Sequence, residues 1–116
     1  MSSYAETLNT VKQAYPFPRW RTLFRDAYEH ESCDEVQKAF DVLIADLIEL
    51  GPDAAEAQKK KAFQKAIEAT NEQEDIIMTE EREDLCELTN TITEACGLNP
   101  DDYCDGEGLA SEWRHW

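Results

Sequence analysis

Val36, Ala39, Phe40, Leu43, Ile44, Leu47 and Ile48 recur at steps of three and four residues. That spacing lays them along one stripe of an α-helix and on no single face of a strand, so it commits the middle of the chain to an amphipathic helix. Just before the stripe, Ser32-Cys33-Asp34-Glu35 has the Ser-x-x-Glu form of a capping box, and just after it Gly51 is the expected left-handed stop. The result is a helix over about 33–50 whose stripe predicts the centre of the core.

The same period runs through the rest of the chain. Tyr4, Leu8, Val11 and Tyr15 mark one face of a helix from about 3 to 15, capped by Ser2 or Ser3 and ended by Pro16-Phe17-Pro18. Pro18 suits the first turn of a helix over 18–29, with Trp20, Leu23, Phe24 and Ala27 as its apolar face. Pro52-Asp53 opens a fourth helix, to about 71, on which Ala57, Phe63, Ala66, Ile67 and Thr70 face inward while Lys59, Lys60 and Lys61 are solvated. Ile76-Ile77-Met78 is a short connector or part of a bent helix. Thr79 then caps a fifth helix, with Leu85, Leu88, Ile92 and Ala95 inward and Gly97 closing it. Leu109, Trp113 and Trp116 outline a short C-terminal helix. No period-2 strand and no internal repeat interrupts this pattern. The expectation is an all-α fold, a single compact bundle-like domain of five or six helices spanning 1–116.

Charge is distributed in blocks: about +2 over 1–28, −8 over 29–57, +3 over 58–71 and −12 over 72–116, for a net −15. The last block holds fourteen carboxylates against Arg82 and Arg114. A domain this acidic repels itself, so the charge serves either solubility or a basic partner. It argues against direct nucleic-acid contact, although Trp20 lies between Arg19 and Arg21. The simpler expectation is a buried tryptophan whose basic flanks, with Lys12 and Arg25, pair with the acidic half. No stretch approaches the ~18 apolar residues of a membrane span, and the N-terminus has no basic region followed by an apolar run. A cytoplasmic protein without membrane contact is expected. Cys33, Cys86, Cys96 and Cys104 are irregularly spaced and read as free thiols of a reducing compartment.

No catalytic signature is present: there is no glycine-rich phosphate loop, no Gly-x-Ser-x-Gly and no His-Glu-x-x-His. The chain is expected not to be an enzyme, with no catalytic residue, cofactor or metal. The pairs Glu80/Glu81 and Glu83/Asp84 suit the positive end of a helix dipole. In residues 101–112, Asp101, Asp105, Gly106 and Glu112 match positions 1, 5, 6 and 12 of a calcium loop, but Tyr103 and Gly108 stand where a chelating carboxylate and an aliphatic belong. An acidic turn is expected there. Leu109, Trp113 and Trp116 either dock into the bundle or form an exposed aromatic stripe in an acidic rim, the anatomy of a binding hot spot.

The run Thr79-Glu80-Glu81-Arg82-Glu83-Asp84-Leu85-Cys86-Glu87-Leu88, then Ala95-Cys96-Gly97-Leu98 and a closing Ser111-Glu112-Trp113-Arg114-His115-Trp116, resembles a family of small acidic bacterial proteins of uncharacterised function. That family pairs an "EREDLC"-like helix with a terminal "EWRxW", and the likeness covers roughly the second half of the chain. It implies a bacterial source and an intracellular accessory role. By size, charge and fold class such proteins are similar to immunity proteins that neutralise toxins. The leading expectation is therefore an immunity- or antitoxin-like inhibitor that occludes a basic, nucleic-acid-targeting toxin. Its partner-binding residues would be Glu80, Glu81, Glu83, Asp84, Glu87, Asp101, Asp102, Asp105 and Glu107, with Trp113 as the aromatic anchor. The alternatives are a DNA mimic that binds a DNA-binding protein, and a structural module whose charge is for solubility.

Overall fold

A computed structural model of the chain describes residues 3–116, and every regular element among them is helical. The α-helices are α1 (Tyr4–Thr10), α2 (Phe17–Leu23), α3 (Ala27–Leu50), α4 (Glu56–Asn71), α5 (Thr79–Ala95) and α6 (Ala110–Trp113). Short 3-10 turns occupy Val11–Ala14, Glu74–Ile76, Pro100–Asp102 and Cys104–Gly106. The radius of gyration, 13.7 Å, is close to the ~13.4 Å of a compact globule of this length. No helix among the described residues is long and apolar enough to cross a membrane.

Of the stripe on α3, Val36, Phe40, Leu43, Ile44 and Leu47 are buried as expected, Ala39 and Ile48 are half-buried, and Cys33 joins the buried set. The start of α3 differs. Asp26, in extended backbone, caps it by accepting the Glu29 N–H at 2.8 Å, and Ser32 becomes a buried interior position. Nothing between 27 and 32 breaks a helix, so it extends back to the upstream cap. The expected helix 18–29 is accordingly split, with α2 ending at Leu23 and Phe24 extended. Of its expected face, Trp20 is buried and Phe24 half-buried, while Leu23 and Ala27 are exposed. Phe17, caught between two prolines, is instead fully buried, edge-on to Tyr15 (5.0 Å) and Trp20 (5.2 Å).

Gly51 ends α3 with φ 84° but ψ 165°, an extended positive-φ conformation open to glycine rather than the left-handed helical stop. The chain turns through 51–55 and α4 returns antiparallel along α3, starting at Glu56 after Gln58 accepts the Ala55 N–H. Phe63, Ala66, Ile67 and Thr70 are buried, but Ala57 is exposed and Lys59 is not solvated: it is 4 % exposed. The Lys59 ammonium donates to the carbonyls of Pro52 (2.9 Å) and Cys96 (2.7 Å) and sits 5.7 Å from the centre of the Tyr4 ring. Tyr4 in turn donates to the Leu47 carbonyl at 3.1 Å.

Helices α1 and α2 pack on α3, α5 packs on α1 and the turn after it, and α6 lies against α4 and α5. Ser3 caps α1, accepting the Glu6 N–H at 3.1 Å; Ser2 lies outside the described residues. In α5, Thr79 is the first helical residue rather than the cap. The C-terminal helix lasts one turn, and Arg114 leaves it in extended backbone. Leu109 and Trp116 are buried and Trp113 half-buried, so the aromatics dock and form no exposed stripe.

Candidate protein-binding face

At the start of α5 the acidic residues divide into two groups. Glu81 is buried and reaches back to accept the Met78 N–H at 3.0 Å, closing the helix start. Asp84, half-buried, takes an ion pair from Arg19 and accepts the Trp20 Nε1–H at 2.9 Å. Those two carboxylates hold the fold together. Glu80, Glu83 and Glu87 are exposed and stand at i, i+3 and i+7, one ridge along the outer face. Cys86, half-buried beside them, has its thiol pushed up by burial, with Arg114 and Arg82 opposing.

Asp101, Asp102, Asp105 and Glu107 are exposed in the turns that follow α5. The ridge and this acidic loop are not one contiguous patch throughout. Glu107 comes near Cys86 on the flank of α5, whereas Asp101 and Asp102 follow the far end, and Glu80 and Ala95 are ~22 Å apart along the axis. Tyr103 points inward and donates to Glu56 at 2.7 Å; burial first, and this bond second, hold its hydroxyl well above the ordinary range. Glu112 pairs with Lys60 at 3.5 Å. Among the described residues no three His, Cys, Asp or Glu side chains gather where they could hold a metal ion.

Trp113 borders a separate hollow of about 500 Å³, lined also by Glu68, Glu72, Glu74 and Glu112. Asn71 builds it, donating to the Trp113 carbonyl and accepting the His115 N–H, both at 2.9 Å, which ties the C-terminal segment to the end of α4. The sequence signal for Glu68, Glu72 and Glu74 is present in the acidic run at and just after the end of α4, but their closeness to Trp113 depends on a contact 42 residues apart.

Arg19 is engaged by Asp84, as the charge blocks predict, but Arg21 pairs with Asp34 in α3 (2.7 Å) rather than with the acidic half. His30 bonds the Phe24 carbonyl at 2.9 Å, and His115 is exposed. What this surface offers is carboxylates in water, suited to guanidinium and ammonium groups at ~0–1 kcal/mol per exposed pair. No protein-family model matches the chain, and neither a curated protein nor a solved structure does.

Proposed function

We propose that this chain is an acidic inhibitor that occludes a basic protein partner in the cytoplasm, in the manner of an immunity or antitoxin protein. The observation that carries the proposal is the fate of the fourteen carboxylates of residues 72–116. Twelve of them are exposed, and of those only Glu112 has an ion-pair partner among the described residues. Charges kept in water raise association rates and select among partners more than they add affinity. The family resemblance of the second half belongs to the same proposal.

The test takes the product of the adjacent reading frame as the partner and measures association rates at low and high salt. The wild-type rate should fall steeply with salt, and the combined Glu80→Lys, Glu83→Lys, Glu87→Lys variant should lose both rate and salt dependence. Glu81 and Asp84 are left alone, because changing them tests folding. A folded variant that associates at the wild-type rate with the wild-type salt dependence sinks the proposal, and the charge then serves solubility.

A further inference from the structure

Among the described residues four large hydrophobic side chains are exposed: Leu23 (56 %), Tyr28 (58 %), Met78 (64 %) and Leu50. Single exposed apolar residues are ordinary on a protein surface, but a gathering of them is not. Leu50 stands alone at the α3–α4 turn; the other three share one end of the molecule. Tyr28, in the first turn of α3, donates to Asp75 at 3.1 Å, which brings it beside the turn that ends just before Met78. Leu23 is placed by the course of α2 along α5. Pro16 lies near Leu88 and Thr91, while Arg19 reaches Asp84 and is close enough to feel Glu80 and Glu81. The two helices therefore run antiparallel, and Leu23, one turn beyond Arg19, arrives at the level of Glu80 and Met78.

The surroundings of the trio are acidic. Asp26, Glu31, Glu74, Asp75 and Glu80 are exposed at this end. Against them stand Arg25 and Arg82, since Arg19 and Arg21 are engaged by Asp84 and Asp34. Phe24, next to Leu23 in the chain, is half-buried and packs at 6.1 Å on the buried Trp20. An apolar centre with a polar, charged rim is how protein interfaces are built, and the sign of the rim selects the partner.

We infer that the end of the molecule carrying Leu23, Tyr28 and Met78 is the apolar anchor point for a basic amphipathic helix of a partner protein. Leucine-like side chains of that helix cover the trio, and its lysines or arginines meet the carboxylate rim. A second copy of this chain is a poor occupant, because it brings the same −15 charge. The inference rests on the proposed basic partner and adds where that partner is gripped.

The experiment uses the full chain and a synthetic helical peptide of about four turns, leucines on one face and lysines on the other, with a leucine–glutamate peptide of the same pattern as control. Backbone amide NMR should shift most around Leu23, Tyr28 and Met78 on adding the lysine peptide, and not on adding the glutamate peptide. The Leu23→Gln, Met78→Gln double variant changes only exposed side chains and adds no capping hydroxyl at the start of α5, so it should keep its melting temperature while losing the peptide by at least about tenfold. Binding that maps to Glu83 and Glu87 and ignores the double variant overturns the anchor but leaves charge-driven binding standing. Equal binding of both peptides overturns the anchor and the basic-partner proposal together. No binding, or a concentration-dependent dimer that buries the same three residues, also overturns the anchor.

Discussion

The start of α5 carries four carboxylates, two of them in water and two engaged by the rest of the molecule; its last turn meets a single buried ammonium. The N-terminal end carries Glu80, Glu81, Glu83 and Asp84, of which Glu81 and Asp84 have internal partners. The C-terminal end ends on Gly97 at φ 92°, with the Leu98 N–H on the Thr93 carbonyl and the Gly97 N–H on that of Glu94, a Schellman closure. That closure leaves the Cys96 carbonyl inside, and Lys59 supplies its donor. Both ends answer the same dipole, negative charge at one end and positive at the other. They differ in redundancy: several exposed acids share one task, while a single buried cation does the other. Charge at the first end is therefore partly left in water, while at the last it is bound to the fold.

The two ends of α5 differ most at Lys59. Lys59→Met keeps the unbranched stem without its terminal ammonium, leaves the Pro52 and Cys96 carbonyls without a donor, and should cost about 2–4 kcal/mol in urea unfolding. A neutral Lys59→Met would mean that the buried charge is dispensable and that the two ends are alike.

Alkaline pH sharpens the same contrast. Burial, and secondarily Cys96, pushes the Tyr4 hydroxyl up to about 12 from its ordinary 10.0. The folded state therefore holds that proton more tightly than the unfolded chain does. This stability is fully present below pH 10 and drains away as pH rises from about 10 to 12. Tyr15 is shifted in the same direction by burial first and then by its bond to Asp41. Unfolding curves across that range should steepen downward in the wild type and flatten in Tyr4→Phe; an unchanged slope in Tyr4→Phe would show that the Lys59 end does not set it.

Asp84 measures the other end. Asp84→Ala leaves the buried Trp20 indole N–H without its acceptor and should cost about 1–2 kcal/mol, visible in the same urea series. A loss as large as that from Lys59→Met would erase the asymmetry. The smallest expected effect is on Glu80, Glu83 and Glu87: each single change to glutamine should shift stability by no more than about 0.5 kcal/mol. A larger change at any of them would place it with Asp84 as part of the fold.

Much of this architecture is legible from the residues alone. The stripe from Val36 to Leu47 is buried, Gly97 closes α5, Ser3 caps α1 and the whole is helical, because period, glycine and caps act within a turn or two of themselves. Even Lys59 was half legible: residues 59, 63, 66 and 70 share one helical face, and only the charge on Lys59 pointed outward. What the local pattern could not hold was the set of partners that reverse such an expectation. Two carbonyls seven and 37 residues away make burial of an ammonium tolerable. Likewise Asp26 overrides Ser32 as the cap of α3, Trp20 takes Asp84 out of the acidic face, and Asn71 draws Trp113 to the glutamates around the end of α4. The sequence by itself determined the helices and the sign of the surface, since propensity and net charge are properties of the residues. Which charges remain in water was decided only by the tertiary structure, because solvation depends on neighbours that the chain brings together by folding.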